Sequence, residues 1–587
     1  MSDPQTAAPL RERRPETPTP LRRTFLARLD DVALVAGDER RNRAVVPVLG
    51  ALMLAAAAFF FLQGRGLTFY FDEWAFVIDR REWGLDNFLQ PHNEHLHMTA
   101  VLAFKLLFVT AGLDFYEPYR IAVLMLHLAV VALTFALMRR GVGDAIALVG
   151  AIPLLFLGAG WENIMWPFQI GLLGALAGGL GALLLIERGD ARGDVAASVL
   201  LALSLASASV AVPIALALAV EIAWRPPRWR RLWVVVVPLA LYGLWSVTYG
   251  RSALLASNAP GVPRFVADTA AAVVGGLLGL DPEWGRVILL LALIWLGASF
   301  VRGRVLVTPR LASLTLALVS SWVLTALARA HLGSAESSRY VYVGAVFVLL
   351  IVAELACGAR VPARMLAVVA VLVGVSLAGN YALLRSGLEH MRGYTATVEA
   401  ALVGLELAGP ETPLDFRPAP EQAPNIYAGP YFEAVSELGS PAPSVEELLE
   451  RKEEERRTAD AVYVAARGVE PEAASGAAAD APAPEIDEVH WGRAEASGSC
   501  VEFVPTAPGA AVDLALLGDA LALVAEDNAH VNVHVRMLAG GFPDAPALTV
   551  PGESRTRIVL PPPVAGRGWH VRLFATERVR ACTAAAG

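Results

Sequence analysis

Residues 71–95, FDEWAFVIDRREWGLDNFLQPHNEH, hold the side chains of this sequence best suited to chemistry. An acidic pair, Asp72 and Glu73, opens the stretch, and the run His92, Asn93, Glu94, His95 closes it. A carboxylate within hydrogen-bond reach of a hydroxyl both orients it and accepts its proton as a new bond forms, so Asp72 is the candidate general base. Glu73 either assists or anchors the loop. The closing run offers nitrogen and oxygen ligands: with Asp72, the residues His92, Glu94 and His95 suit a divalent cation (Mg, Mn or Ca) held against a phosphate. Alternatively, His92, Asn93, Glu94 and His95 bind the hydroxyls of a sugar directly. The plainer readings are solvated loop acids and a hydrogen-bonded loop cap.

Two arginines stand where apolar runs begin, Arg120 and Arg339, the second followed by Tyr340 and Tyr342 and preceded by His331, Glu336 and Ser338. A guanidinium so placed grips a lipid phosphate bidentately while its stem stays among acyl tails, or it simply snorkels. A further aromatic and polar stretch, WENIMWPFQ, contains Trp161, Glu162, Asn163, Trp166 and Gln169. Indole faces, amides and a carboxylate suit a sugar, although tryptophans are also common at membrane surfaces.

The elements that must position these residues are membrane spans. The chain has 587 residues, 55% hydrophobic and 18% charged, and its apolar residues fall in long runs. Lys105 and Lys452 are its two lysines, so the positive charge is nearly all arginine. The net charge is −8, with basic residues beside the apolar runs and acidic ones collected after residue 385; no tract resembles a nucleic-acid surface.

Residues 1–43, rich in Pro, Thr and Arg, read as a disordered or interfacial cytoplasmic tail. The first span covers about 44–63. The run 97–113 is short and contains Lys105; leaving it on the surface places Arg139 and Arg140 in the cytoplasm, as the positive-inside rule asks. Residues 64–119 then form one large external loop. Alternating runs follow, with a tight hairpin at 207–213 and a Gly-rich stretch, 266–280, that is re-entrant or interfacial because a crossing there would strand VRGR outside. This gives about eleven spans, a cytoplasmic N-terminus and an extracytoplasmic C-terminal region.

That region begins at 385. Ser444 and Glu447 form a capping-box pattern ahead of EELLERKEEERR, and 469–487 reads as a flexible linker closing the mixed region 385–488. Residues 489–587 alternate in strand fashion, as in Val531, Val533 and Val535 against Asn532, His534 and Arg536, and suggest a small β-sandwich. Cys500 and Cys582 bracket it, suggesting a disulfide from first strand to last in an oxidising compartment.

An acidic DEW motif directly after the first span, a large first external loop with surface helices, the W-x-N-x-x-W-x-F-Q stretch, an outer SRY and an external C-terminal domain together resemble the GT-C glycosyltransferases. Within them the likeness is to bacterial members related to the aminoarabinose and protein-mannosyl transferase groups. It covers roughly residues 44–384. It implies a multi-pass plasma (inner) membrane enzyme that takes sugar from a polyprenyl-phosphate donor and passes it, with inversion, to a cell-envelope glycan, lipid or protein. Asp72 takes the family's first-loop acid position, and Arg339 matches a late arginine that receives the lipid phosphate. Two other classes compete: a lipid or polysaccharide transporter or flippase, which needs ionisable groups at mid-bilayer, and a non-catalytic envelope assembly protein.

Overall fold

The computed structural model describes residues 39–224, 228–357, 363–473, 482–525, 530–550, 555–564 and 566–584. Most of the basic tail and much of the expected linker lie outside the described residues. A first helix, α1 (Glu39–Gln63), leads into the short helices α2 (Glu73–Asp79) and α3 (Leu85–Leu89) and then α4 (Met98–Ala111). Next come α5 (Glu117–Val142), α6 (Asp144–Leu155), α7 (Trp161–Met165), α8 (Ile170–Ile186), α9 (Ala191–Leu205), α10 (Ala211–Trp224) and α11 (Trp233–Thr248). The helical bundle closes with α12 (Val262–Leu278), α13 (Pro282–Val301), α14 (Pro309–Arg329), α15 (Ser338–Leu355) and α16 (Ala363–Ala408).

Among the described residues, eight helices are long and apolar enough to cross a membrane, or nine if the bent pair Asp144–Leu155 and Gly158–Met165 makes one span. The path of the chain adds to this, because polar residues gather in two layers. In one layer Arg139 pairs with Asp144 at 2.8 Å, Arg231 with Asp194 at 2.6 Å and Arg310 with Glu221 at 2.8 Å. Arg140 and Arg310 both meet Glu187 there. The other layer is the first-loop face. The shorter helices α9, α10 and α11 also run from one layer to the other, their ends held by Arg231–Asp194 and Ser313–Glu221 on one side and by Thr99–Ser207 and Trp245–Leu89 on the other. The arginine-bearing turns thus share one face, as the charge pattern demanded.

One short helix, α4, is tied to the first-loop face at both ends. The amide of Thr99, near the start of α4, bonds the Ala206 carbonyl, and beyond its end Leu113 bonds Leu438. Its buried Lys105 lays the ammonium on the carbonyls of Arg80 (2.6 Å), Arg81 (3.1 Å) and Glu82, so all three donors are used. The helix α12 starts at that face and ends against the middle of α16. The 3₁₀ turn before it bonds Leu327 and His331, and its carboxyl end lies on Ser376 and Asn380. The Gly-rich stretch, expected to be re-entrant or interfacial, thus forms one continuous helix that is long and apolar enough to cross a membrane.

The helix α16 runs on unbroken for 46 residues, through the position near 384 where membrane and exterior regions were expected to part. No proline interrupts it before Pro410, and Gly409 ends it with a φ of 79°. Its outer half packs on α19 (Glu453–Ala466), after α17 (Ala428–Leu438) and α18 (Val445–Leu449). The capping box at α18 is formed, with the Glu447 amide on Ser444 Oγ and the Ser444 amide on the Glu447 carboxylate.

Among the described residues the C-terminal sandwich has eleven strands: β1 (Glu472–Ala473), β2 (Glu485–His490), β3 (Gly492–Ser497), β4 (Cys500–Pro505), β5 (Ala511–Ala515), β6 (Ala520–Ala525), β7 (Val531–Arg536), β8 (Leu548–Val550), β9 (Arg555–Val559), β10 (His570–Ala575) and β11 (Val579–Thr583). One sheet has the order β1-β9-β6-β11-β4-β3 and the other β2-β5-β10-β7-β8. Val531, Val533 and Val535 face the core; His534 is also buried, held by the Pro543 carbonyl. The Cys500–Cys582 disulfide is present but joins directly opposed residues of neighbouring strands, since three strands precede β4.

The sandwich docks on α19 through carboxylates seated in backbone amides. Asp460 accepts from Met537, Leu538 and Ala539, and Glu453 from Gly540 and Gly541. Replacing Asp460 by alanine strands three buried donors and should cost about 2–3 kcal/mol. Hydrogen exchange should speed up first at Met537–Ala539, before the sandwich core; unchanged exchange there would refute this seat.

Candidate active site

The turn ahead of α2 is built around Glu73. Its side chain is fully buried and accepts from the Tyr70 amide (2.7 Å) and the Tyr116 hydroxyl (2.9 Å), with the Phe168 amide also contributing. This closure holds Phe71 at a φ of 47°, a left-handed conformation that costs a non-glycine residue energy. Burial pushes the Glu73 carboxyl up to about 8. Glu73 is thus placed as the anchor of the loop, with its carboxyl turned into the protein.

Asp72 is positioned differently. It occupies the residue before the first turn of α2, where an aspartate commonly caps a helix, but its side chain makes no capping bond. It is half-buried and accepts instead from Asn93 Nδ2 at 3.4 Å. Burial raises its pKa, while the nearby charges of Arg339, the Asn93 bond and then Arg329 pull it down and Glu162 opposes them. A carboxylate and two cations therefore share one partly dry space.

Asn93 reaches Asp72 because the His-Asn-Glu-His run is a two-residue hairpin turn. His92 and His95 exchange both backbone bonds, at 3.0 and 2.9 Å. Asn93 and Glu94 sit at φ of 45° and 67°, the pairing of a type I′ turn. Asparagine tolerates this; glutamate does so at a cost on the order of 1 kcal/mol, offset here by its 2.7 Å ion pair with Arg329. The histidines point elsewhere. His95 Nδ1 meets Ser209 Oγ at 2.7 Å, and the His92 and His97 rings flank Phe168. Burial lowers His92 and His95 to about 4 and His97 well below its ordinary value, so all three are neutral at pH 7.

On the far side, the Arg339 amide bonds the Glu162 carboxylate at 3.2 Å and its Nε lies 3.6 Å away. The guanidinium lies over Trp166, 5.7 Å from the ring centre. Trp166 is buried and donates to the Tyr70 carbonyl at 3.1 Å, so it is a platform under Arg339. Asn163 and Gln169 are also buried, and neither Asn163 side-chain atom has a hydrogen-bond partner.

Other expectations need correcting. Arg120 is not free for a lipid phosphate: it is buried, with its guanidinium on the carbonyls of Phe61 (2.7 Å) and Phe60 (3.4 Å) at the end of α1. Tyr340 packs on Phe265 of α12. Asp72, His92, Glu94 and His95 do not gather as cation ligands; among the described residues the one cluster of three such ligand atoms is Glu488, His490 and Asp513 on the sandwich. There, Arg572 already holds Asp513 with bonds of 2.7 and 2.6 Å.

Two residues were missed from sequence. Arg329, at the last turn of α14, gave no signal beyond a charge at a span end. Tyr394 lies on the unbroken extension of α16, 4.7 Å from the Tyr70 ring, with its hydroxyl buried and unpartnered and its pKa raised by burial and by Tyr70 and Asp72. A helix ending near 384 would not have reached this site. Below it, Phe59, Phe60, Phe156, Leu377, Asn380, Tyr381 and Leu384 line a largely apolar groove of about 240 Å³.

No family model matches the sequence, and no curated protein does. Among solved structures, the chain is similar to ArnT from Cupriavidus metallidurans bound to undecaprenyl phosphate, with 16% identity, 63% of this chain and 82% of that one covered, and a TM-score of 0.41. The apo state of the same protein gives 16%, 69% and 90% coverage, and 0.42. The arabinosyltransferase EmbB from Mycobacterium smegmatis gives 12%, 95% and 66% coverage, and 0.37. Likeness this distant leaves the chemistry to be read from the residues themselves.

The Glu73 anchor predicts a pH dependence. Its folded pKa of about 8 exceeds the model-peptide 4.5, so the native state binds the extra proton and stability falls as pH rises between those values. Glutamine keeps an acceptor for Tyr70 and Tyr116 without the charge. Thermal melts of Glu73→Gln should therefore be flatter than wild type across that window; parallel curves would refute the buried acid.

Proposed function

We propose that this chain is a multi-pass plasma-membrane glycosyltransferase that moves a sugar from a polyprenyl-phosphate donor to a hydroxyl of a cell-envelope glycan, lipid or protein. The observation that carries this reading is the half-buried Asp72, released from helix capping and set among Arg339, Arg329 and Asn93 at one face of an apolar bundle. A donor delivered by the bilayer would lay its isoprenoid tail along the apolar groove beside Phe59 and Tyr381 and bring its phosphate toward Arg339. In that arrangement the face bearing the first loop and the sandwich is extracytoplasmic, and the arginine-rich face is cytoplasmic.

Asp72 takes the acceptor hydroxyl's proton while the oxygen attacks the anomeric carbon. The bond from that carbon to the phosphate oxygen breaks, and its electron pair leaves with polyprenyl phosphate, whose negative charge Arg339 and Arg329 stabilise. Attack opposite the leaving group inverts the configuration.

Purified protein in nanodiscs, given a polyprenyl-phosphate sugar and an envelope acceptor, should release polyprenyl phosphate. Asp72→Asn should lower that rate at least about 100-fold; turnover within a few-fold of wild type would end this assignment. Because Arg339 lowers the Asp72 pKa, Arg339→Ala should move the acidic limb of the pH–rate profile upward, and a limb that stays in place or moves down would show that the two do not interact.

A further inference from the structure

A second cavity, of about 400 Å³, opens on the other side of the Glu162–Arg339 pair and is not used by the reaction as written. Its walls come from the 3₁₀ turn Gly158–Gly160 through Ala159, from Trp161, from α12 through Ala272 and Gly276, and from the later half of α16 through Ser386, Gly387 and His390. It lies beside the reaction site: Ser338, in its lining, accepts from the Glu162 amide at 3.1 Å, and His390 is one helical turn from Tyr394. Trp161 is seated by design of the backbone, since a Cβ at Gly387 would fall 2.4 Å from the indole. The ring meets His390 edge-on at 6.2 Å.

The charge of the lining decides what fits. Its ionisable side chains are Asp281, Glu336 and His390, all exposed, with Arg286 reaching Glu336 from outside the lining at 3.8 Å. A phosphate or uronate would meet two carboxylates and no arginine of the wall. An aromatic plate with carboxylate, hydroxyl and imidazole groups around it matches the apolar face and hydroxyl rim of a pyranose.

We infer that this cavity is the acceptor subsite and takes the end of a neutral or amine-bearing saccharide, stacked on Trp161 and hydrogen-bonded by Glu336, Ser386 and His390. The inference rests on the transferase reading and narrows it: the acceptor is a glycan without anionic groups at its reacting end.

The test is binding, measured apart from turnover. Full-length protein in nanodiscs is applied to a printed array of neutral, amine-bearing and anionic oligosaccharides. Neutral or amine-bearing glycans should be retained, and anionic ones bound at least about tenfold more weakly. Ser386→Trp fills the cavity from an exposed helix position and should cost about tenfold or more, as should Trp161→Ala. Absence of retention by wild type, preference for anionic glycans, or binding unmoved by Ser386→Trp would each overturn the subsite. Wild-type turnover by Asp72→Asn in the same preparations would instead strike the transferase reading and leave the binding result standing.

Discussion

A carboxylate drawn partly out of water is a useful base only while something nearby offsets its desolvation, and the site depends on that balance. Burial alone would keep Asp72 protonated too far up the pH scale. Arg339 and Arg329 pull it back, and each is itself restrained by an acid, Glu162 and Glu94 respectively. Counting Asp72, three acids stand against two cations; Arg329 is tightly paired at 2.7 Å, whereas Arg339 is the cation with the looser hold on its acid. Arg339 is held by one backbone bond and a loose 3.6 Å side-chain approach, which leaves guanidinium donors for an incoming anion.

The geometry of that balance comes from groups far from Asp72. The first loop is fixed by buried polar pegs: Lys105 under the carbonyls of residues 80–82, Arg80 on those of Asn87, Gln90 and Pro91, and Glu73 under Tyr70. Each peg satisfies backbone groups that a loop would otherwise leave unpaired in a protein interior. Together they let an irregular segment carry left-handed residues at Phe71, Asn93 and Glu94 without collapsing. Strain of this kind persists only where the surroundings over-determine it.

Sequence made the bundle legible because apolar run length and arginine placement obey simple energetics. The parity argument left both the Lys105 segment and the Gly-rich stretch out of the span count; the first forms a helix of 14 residues, the second one long and apolar enough to cross a membrane. Asp72 and Arg339 were legible as charges at span ends. Burial was not: nothing in WENIMWPFQ says that Trp166 is fully buried while Trp161 is half-buried against Gly387, since both are tryptophans in one short stretch. Nor does residue type separate Arg120, which closes the carbonyl end of α1, from Arg329, which faces Glu94; that distinction is made by which helix end lies opposite.

The length of α16 carries the last consequence. One uninterrupted helix contributes Asn380 to the groove, Gly387 and His390 to the second cavity, Tyr394 to the Asp72 site and its final turns to the α19 interface. Asn380 bonds both the Ala159 amide and the Gly276 carbonyl, so it fixes α16 against the 3₁₀ turn Gly158–Gly160 and α12 at once. A helix resists bending over a few turns, and the seating of the sandwich on α19 is therefore mechanically continuous with the walls of both cavities. The carboxylate-in-amide contacts seat the C-terminal sandwich on α19, and α19 packs on the same helix that carries Tyr394 beside Tyr70 and Gly387 against Trp161.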